Sequence, residues 1–267
     1  MFRGFIWLCQ NNKTTDYVRC SIELARSIKQ HNRDNNICVL ADKNSMFESE
    51  HVDMVKQISL DDSENHTNKF ANEHQVFALS PFTHNIKLEA DMLWTSNTDW
   101  WWYHLWQHDL IFSRDCLDYR GTRTKDITYR KLFQHNNLPN IYNGLTYFRR
   151  SHKAMKFYQL CQLLCKNWEM VRSEFLINCH DAHPTTDVVY ALAARIMDPT
   201  QQSMIDYPWF KFVHGKAAVN QSPVKDCNNY LYPVRLNDRI YLGGRRLCDV
   251  WHYQDKTIPE VLDARIF

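Results

Sequence analysis

Two short apolar runs, at residues 5–9 and 37–41, and two further strand-like segments, at 54–58 and 86–90, are separated by stretches of a different period. Between the first two, Val18, Ile22, Ala25 and Ile28 recur at spacings of four, three and three, which lines one face of a helix. Thr15 or Asp16 stands where an N-cap is needed, and Lys29, His31 and Arg33 sit where cations complement the negative end of a helix. Between the other two segments, residues 61–68 read as a polar loop and 70–79 as a helix closed by Ser80-Pro81. Strands separated by helices return through crossovers, so they build a mostly parallel sheet with helical cover. The predicted class is α/β, and in such sheets ligands bind beyond the carboxyl ends of the strands.

The remainder adds a strand at 141–148 interrupted by Asn143-Gly144, a long amphipathic helix at 152–172, and another at 185–197 after Pro184. From about residue 205 the chain is rich in Tyr, Pro and Asn and is expected to be irregular, wrapping back over the sheet. No repeat or linker interrupts the 267 residues, which read as a single domain. With 44% hydrophobic and 23% charged residues the composition excludes a disordered chain, and 6 Gly and 8 Pro exclude a collagen-like one.

No apolar run approaches the roughly 20 residues that span a bilayer. Residues 5–9 are also too short for a signal-peptide core of about 7–15. The 9 cysteines form no CxxC pair, which argues against structural zinc, and Cys161 and Cys165 share a helical stripe with Met155, Tyr158 and Trp168 as core thiols. A reducing cytoplasm, without a membrane, is the expected location. The net charge is only +2, but Arg120, Arg123, Lys125, Arg130 and Lys131, then Arg149 and Arg150, then Arg245 and Arg246 form local basic runs. They make a nucleic-acid surface if the fold gathers them and a solvated mixed-charge surface if it does not. The run Trp100-Trp101-Trp102-Tyr103 fits core packing in part, with an exposed ring left to stack on a sugar or base.

The chemistry concentrates at residues 84–93, His-Asn-Ile-Lys-Leu-Glu-Ala-Asp-Met-Leu. Ile86, Leu88 and Ala90 alternate with Lys87, Glu89 and Asp91, so a strand here puts the apolar set on one face and both carboxylates on the other. Two acids leaving a buried strand are costly without a cation. Mg²⁺ or Mn²⁺ carrying a substrate diphosphate is one partner; solvated acids, with Lys87 as a pairing partner, are the other reading.

This segment resembles the acidic motif of GT-A fold (Rossmann-like) glycosyltransferases, in layout the glycogenin-like, retaining family 8 enzymes. Thr14-Thr15-Asp16-Tyr17 with Leu24, Ser27, Lys29, Gln30 and His31 resembles the family's first loop and helix, and residues 37–41 its second strand. Tyr142-Asn143-Gly144-Leu145 resembles a Phe-Asn-x-Gly segment one residue shorter, and Thr186-Asp187-Val188-Val189 an Asp-Gln helix start with Val188 for Gln. The resemblance implies that residues 1–95 form a nucleotide-sugar-binding half and 96–267 an acceptor-binding half with C-terminal closure.

It implies metal ligation by Asp91, Glu89 and His252, with His214-Gly215-Lys216 as the other candidate for the third ligand. It implies donor binding by Tyr17, Gln10, Asn11, Glu89 and Lys256, and positioning of sugar and acceptor by Asp187 and Asn143. Glu89 stands where the family has Asp, keeping the charge and adding a methylene. The implied activity is retaining transfer from a nucleotide diphosphate sugar, a UDP-sugar, to a hydroxyl, with Mn²⁺ or Mg²⁺. A likeness to phage glycosyltransferases suggests 5-hydroxymethylcytosine in DNA as acceptor, receiving glucose or arabinose. The alternatives are a protein or glycan acceptor, or a non-catalytic nucleotide-sugar- or DNA-binding protein.

Overall fold

The computed structural model describes residues 2–63, 69–221 and 231–264. Its central strand, β1 (Arg3–Cys9), pairs in parallel with β2 (Asn36–Ala41) on one side and β4 (His84–Glu89) on the other. With β3 (Met54–Gln57), β6 (Leu110–Arg114) and β9 (Ile141–Arg149), the sheet runs β3-β2-β1-β4-β9-β6, parallel as far as β4 and antiparallel beyond it. This is the expected mostly parallel α/β sheet flanked by helices. The alternation within β1 feeds two cores. Phe5, Trp7 and Cys9 pack with Leu24 and Ile28 of α1 (Tyr17–His31), whereas Ile6 joins Val76, Tyr158 and Tyr190 on the opposite face. Asp16 is the N-cap of α1, its Oδ1 accepting from the Arg19 amide at 3.1 Å.

Several boundaries differ from expectation for local reasons. Of the loop at 61–68, residues 64–68 lie outside the described residues. The helix expected at 70–79 is a 3₁₀ turn, Phe70–Asn72, followed by the short α2 (Gln75–Leu79). Asn72 and Gln75 turn their side chains inward, accepting from the amides of Asp62 and Ser59 at 3.0 Å each, in competition with a continuous helix. After α3 (Asp99–Leu105) and α4 (Lys131–His135), strand β9 runs without interruption. The Asn143-Gly144 pair instead produces a bulge against β6, where Phe112 faces Thr146 but Ser113 faces Tyr142. The helix expected at 152–172 breaks at Asn167, whose side chain donates to the Leu163 carbonyl. The pieces are α5 (His152–Lys166), α6 (Trp168–Met170) and a π-helical turn, Val171–Phe175.

The largest correction concerns the end of the chain. Among the described residues beyond 205 the chain is not irregular throughout: after α7 (Thr186–Met197), β10 (Phe212–His214) and β14 (Val250–His252) enter a second sheet. Its order is β5-β14-β10-β7-β8, with β5 (Met92–Leu93), β7 (Cys116–Leu117) and β8 (Arg123–Thr124). Strands β11 (Val234–Leu236), β12 (Arg239–Leu242) and β13 (Arg245–Arg246) form a third, antiparallel sheet. Strands of two to four residues are too short to leave a period. Residues 222–230, with Cys227, lie outside the described residues; the eight described cysteines are free thiols. Among the described residues no helix is long and apolar enough to cross a membrane.

Candidate active site

The carboxyl ends of β1 and β4 and the second sheet meet at one cleft. Glu89 is the last residue of β4, opposite Leu8 of β1, and Asp91 follows in the turn into β5. Strand β14 pairs antiparallel with β5, placing His252 opposite Met92, and the Asp91 carbonyl accepts from the Tyr253 amide at 3.3 Å. That register brings the distant imidazole to the acids. His252 Nε2 lies 3.4 Å from Glu89 Oε2 and 3.4 Å from Asp91 Oδ2, and one ligand atom from each of the three falls within 4.8 Å of the others.

The acids of the cluster are balanced by cationic side chains. Burial would raise the Asp91 carboxyl, but the Lys256 ammonium and His252 beside it hold it well below the usual carboxylate range. Lys256 donates to the Asp91 carboxylate and, at 3.3 Å, to the Tyr253 carbonyl. Burial would lower the His252 imidazole, yet Asp91 and Glu89 raise it above the ordinary histidine value. His214 pairs in register with His252 across β10 and β14, so the two rings stack at 4.9 Å and 11°. Burial, with His252 beside it, keeps His214 well below the ordinary histidine value and thus neutral. His214 is therefore packed against the candidate ligand, and it is His252 that closes the cluster with the acids. Gly215 permits this approach, because a Cβ there would lie 3.0 Å from the His252 carbonyl oxygen.

Glu89 and Asp91 stand, with Tyr17, at the junction of two lobes. The larger, about 620 Å³, is lined by Asn143, Asp187, Arg130, His214, His252 and Lys256 among others. The smaller, about 100 Å³, is lined by Gln10, Asn12, Lys69 and Glu73. Burial, together with Asp91 and Glu89, raises the Tyr17 phenol, which stays neutral. Gln10 faces the small lobe with both ends of its amide engaged, donating to Asp42 at 3.1 Å and accepting from Asn72 at 2.9 Å. Asn11 shapes the loop, accepting from the Val18 amide at 3.1 Å, and is not among the lining residues.

Asp187, in the first turn of α7, is engaged at both oxygens. Its Oδ1 accepts from the Asn143 amide at 2.9 Å and its Oδ2 from Arg130 at 3.0 Å. Arg130 is itself buried, its guanidinium 3.5 Å from the Phe133 ring centre and 4.1 Å from that of Tyr142. Asn143 Nδ2 is buried without a protein partner, and the Asn143 carbonyl accepts from Lys87 at 3.2 Å. Lys87 does not pair with Glu89 or Asp91; its ammonium is 2.9 Å from Glu73. Sequence reasoning missed Glu73, inside an apparently ordinary helix, and read Arg130 only as one of a run of surface cations.

Part of those basic runs is committed to the protein itself, while Lys125, Lys131, Arg245 and Arg246 are exposed. Arg123 pairs with Asp115 and Asp206, Arg130 with Asp187, and Arg149 with Asp109, while Arg150 donates to the Ser80 and Ala78 carbonyls. Arg245 approaches the turn at Gly121, 3.9 Å from where a Cβ would stand.

Gly144, on the β9 bulge, yields a first prediction. A Cβ there would lie 2.9 Å from Glu89 Oε2, so Gly144→Ala should push that carboxylate off the cluster. The far end of a flexible side chain moves easily, so the melting temperature should change little. Divalent-metal affinity, measured by calorimetry, should fall about 10- to 100-fold, the scale of defects in groups that orient ligands. Unchanged affinity would show that Glu89 does not need its observed position.

No protein-family model matches the chain, and no curated protein matches it. Among solved structures it is similar to a galactosyltransferase, LgtC, crystallised in complex with donor and acceptor sugar analogs. The similarity covers 94% of this chain and 87% of that one, with a TM-score of 0.46 and 11% sequence identity. The functional reading accordingly rests on the geometry of the cleft.

Proposed function

We propose that the cleft transfers a sugar from a nucleotide diphosphate sugar to a hydroxyl acceptor, with a divalent cation held by Asp91, Glu89 and His252. The observation that carries this reading is the convergence of those three side chains in the larger lobe, where Glu89 and Asp91 also border the smaller one. The donor set suits a divalent ion once the flexible carboxylates turn inward: an ion about 2.1 Å from each ligand puts neighbouring ligand atoms about 3 Å apart, against 3.4 Å from His252 to each acid and up to 4.8 Å within the cluster. Two carboxylates and one imidazole suit Mn²⁺ or Mg²⁺ carrying substrate phosphates. A cation there would supply Lewis-acid charge against the departing diphosphate.

The chain's own groups do the rest. The Lys256 ammonium, now on Asp91, is within reach of the same diphosphate and adds positive charge where negative charge develops. Tyr17, neutral and beside both acids, offers a ring face for the nucleotide base. Asn143 presents its unpartnered Nδ2 to the larger lobe, where a sugar hydroxyl can accept from it. Asp187, gripped by Arg130 and the Asn143 amide, orients the sugar rather than attacking it, which is a positioning effect. Retention of configuration and a uridine nucleotide follow the family resemblance. The acceptor in this proposal is a hydroxyl group. Hydroxymethylcytosine in duplex DNA would need the arginine runs turned outward, and Arg123, Arg130 and Arg149 each hold an acid of the protein.

Thermal unfolding with nucleoside diphosphates, with and without Mn²⁺, tests the reading. UDP should stabilise the protein only when Mn²⁺ is present, by about 2.7 kcal/mol at a ligand concentration 100 times Kd. Stabilisation that ignores the metal, or none with any nucleoside diphosphate, would overturn it.

A further inference from the structure

The aromatic run at residues 100–103 lies outside the cleft and is only half used by the core. Trp101 and Trp102 are buried, anchoring α3 against Trp94, Phe5 and Phe210. The helix's other face turns outward. Trp100 is 46%, Tyr103 76% and Trp106 56% exposed, at positions i, i+3 and i+6. Residues three apart on a helix are neighbours about 5–6 Å from one another at Cβ, close to the advance of one pyranose unit along a glycan. Trp100 is also braced: Trp209 packs on it at 4.8 Å, and Tyr207 stacks on Trp209 at 4.7 Å and 25°. The interposed exposed residues, His104 and Gln107, are polar and can bond hydroxyls.

We propose that this face of α3 binds a neutral glycan chain. An aromatic ring carries partial negative charge on its face, which attracts the slightly positive C–H faces of sugars. The charge around the rings disfavours two other partners of exposed aromatics. Single-stranded nucleic acid needs cations along its backbone, and an anionic membrane surface needs basic side chains with aliphatic ones beside the rings. Here Asp99 pairs with Arg3, Asp109 with Arg149, and Asp206 with Arg123 and Lys211. The exposed positions from 100 to 107 carry no Lys, Arg, Leu, Ile or Val. The Asp99–Arg3 contact puts the N-terminus of α3 at the amino end of β1, while the cleft lies beyond its carboxyl end. Seven strand residues separate them by about 20 Å, so a glycan held here would be bound apart from the reacting centre.

The test is native gel electrophoresis through gels containing glycogen, dextran, laminarin or galactomannan, in EDTA and without nucleotide. Metal-free conditions make the result independent of the proposed transfer reaction. At least one polymer should retard the protein. Tyr103→Ala/Trp106→Ala, which alters exposed rings and should keep the wild-type melting temperature, should weaken that retardation about tenfold. Passage through all four gels without retardation would overturn the proposal, as would equal retardation of the variant. Binding of the protein to phosphatidylcholine vesicles in place of the polymers would also overturn it and assign the face to membranes.

Discussion

Asp91→Asn is expected to abolish metal-dependent nucleotide binding while leaving the protein folded. The substitution keeps the shape of the side chain and removes its charge. At this position the charge matters most, because Asp91 lies between His252 and Lys256, with Glu89 as the other acid of the cluster. Without it, an incoming dication faces one carboxylate, an imidazole and a neighbouring ammonium. Defects in groups that merely orient ligands cost about 10- to 100-fold in affinity, so loss of a charged ligand should exceed about 100-fold for Mn²⁺. Calorimetric titration reads this directly, and a variant within threefold of wild type would remove Asp91 from the metal site. Stability in metal-free buffer supplies a second readout. The depressed Asp91 carboxyl contributes stability that is present above the ordinary carboxylate range and is lost as pH falls through its folded-state value. The melting-temperature gap between wild type and Asp91→Asn should therefore be wide at neutral pH and close on acidification.

What could be read in advance followed from which forces leave a trace in linear order. Parallel strands buried on both faces write near-continuous apolar runs, so β1 and β2 were visible, while β4 showed through the alternation of Ile86 and Leu88 with Lys87 and Glu89. The outward alternation of Glu89 and Asp91 was visible for the same reason. His252 was accessible through family resemblance, since the register of Met92 against His252 that delivers it to the acids is set between strands of two and three residues. Such strands carry no period, which is why the second sheet looked irregular. Charge counts misread Arg130: whether an arginine faces solvent or an acid depends on a partner such as Asp187, far along the chain. Asn72, Glu73 and Gln75 looked like the polar side of a helix because their inward roles depend on Gln10, Lys87 and the loop at 59–63.

Lys87→Met should destabilise the protein by about 3–5 kcal/mol near pH 8, the scale for breaking a buried pair by removing one member. Lys87 is fully buried in the middle of β4, its ammonium 2.9 Å from Glu73, bonded to the Asn143 carbonyl and 5.5 Å from the centre of the Tyr190 ring. Methionine matches its length, so the defect is one of charge rather than of a cavity. Burial already raises the Glu73 carboxyl against the opposing pull of Lys87. With that pull removed, Glu73 rises further and takes up a proton in the folded state. A group whose folded value lies above its unfolded one stabilises at low pH, and the contribution is lost as pH rises through the folded value. The cost of Lys87→Met should therefore be modest at pH 5 and large at pH 8, measured by urea unfolding at both. Lys87→Met/Glu73→Leu should recover most of the loss and flatten its pH dependence, because replacing a whole buried pair with apolar groups is often neutral. The Asn143 carbonyl keeps the Thr146 hydroxyl as a donor at 3.3 Å, so the double variant leaves it satisfied. A loss below about 1 kcal/mol at pH 8, or one equal at both pH values, would show that the pair does not balance charge in the core.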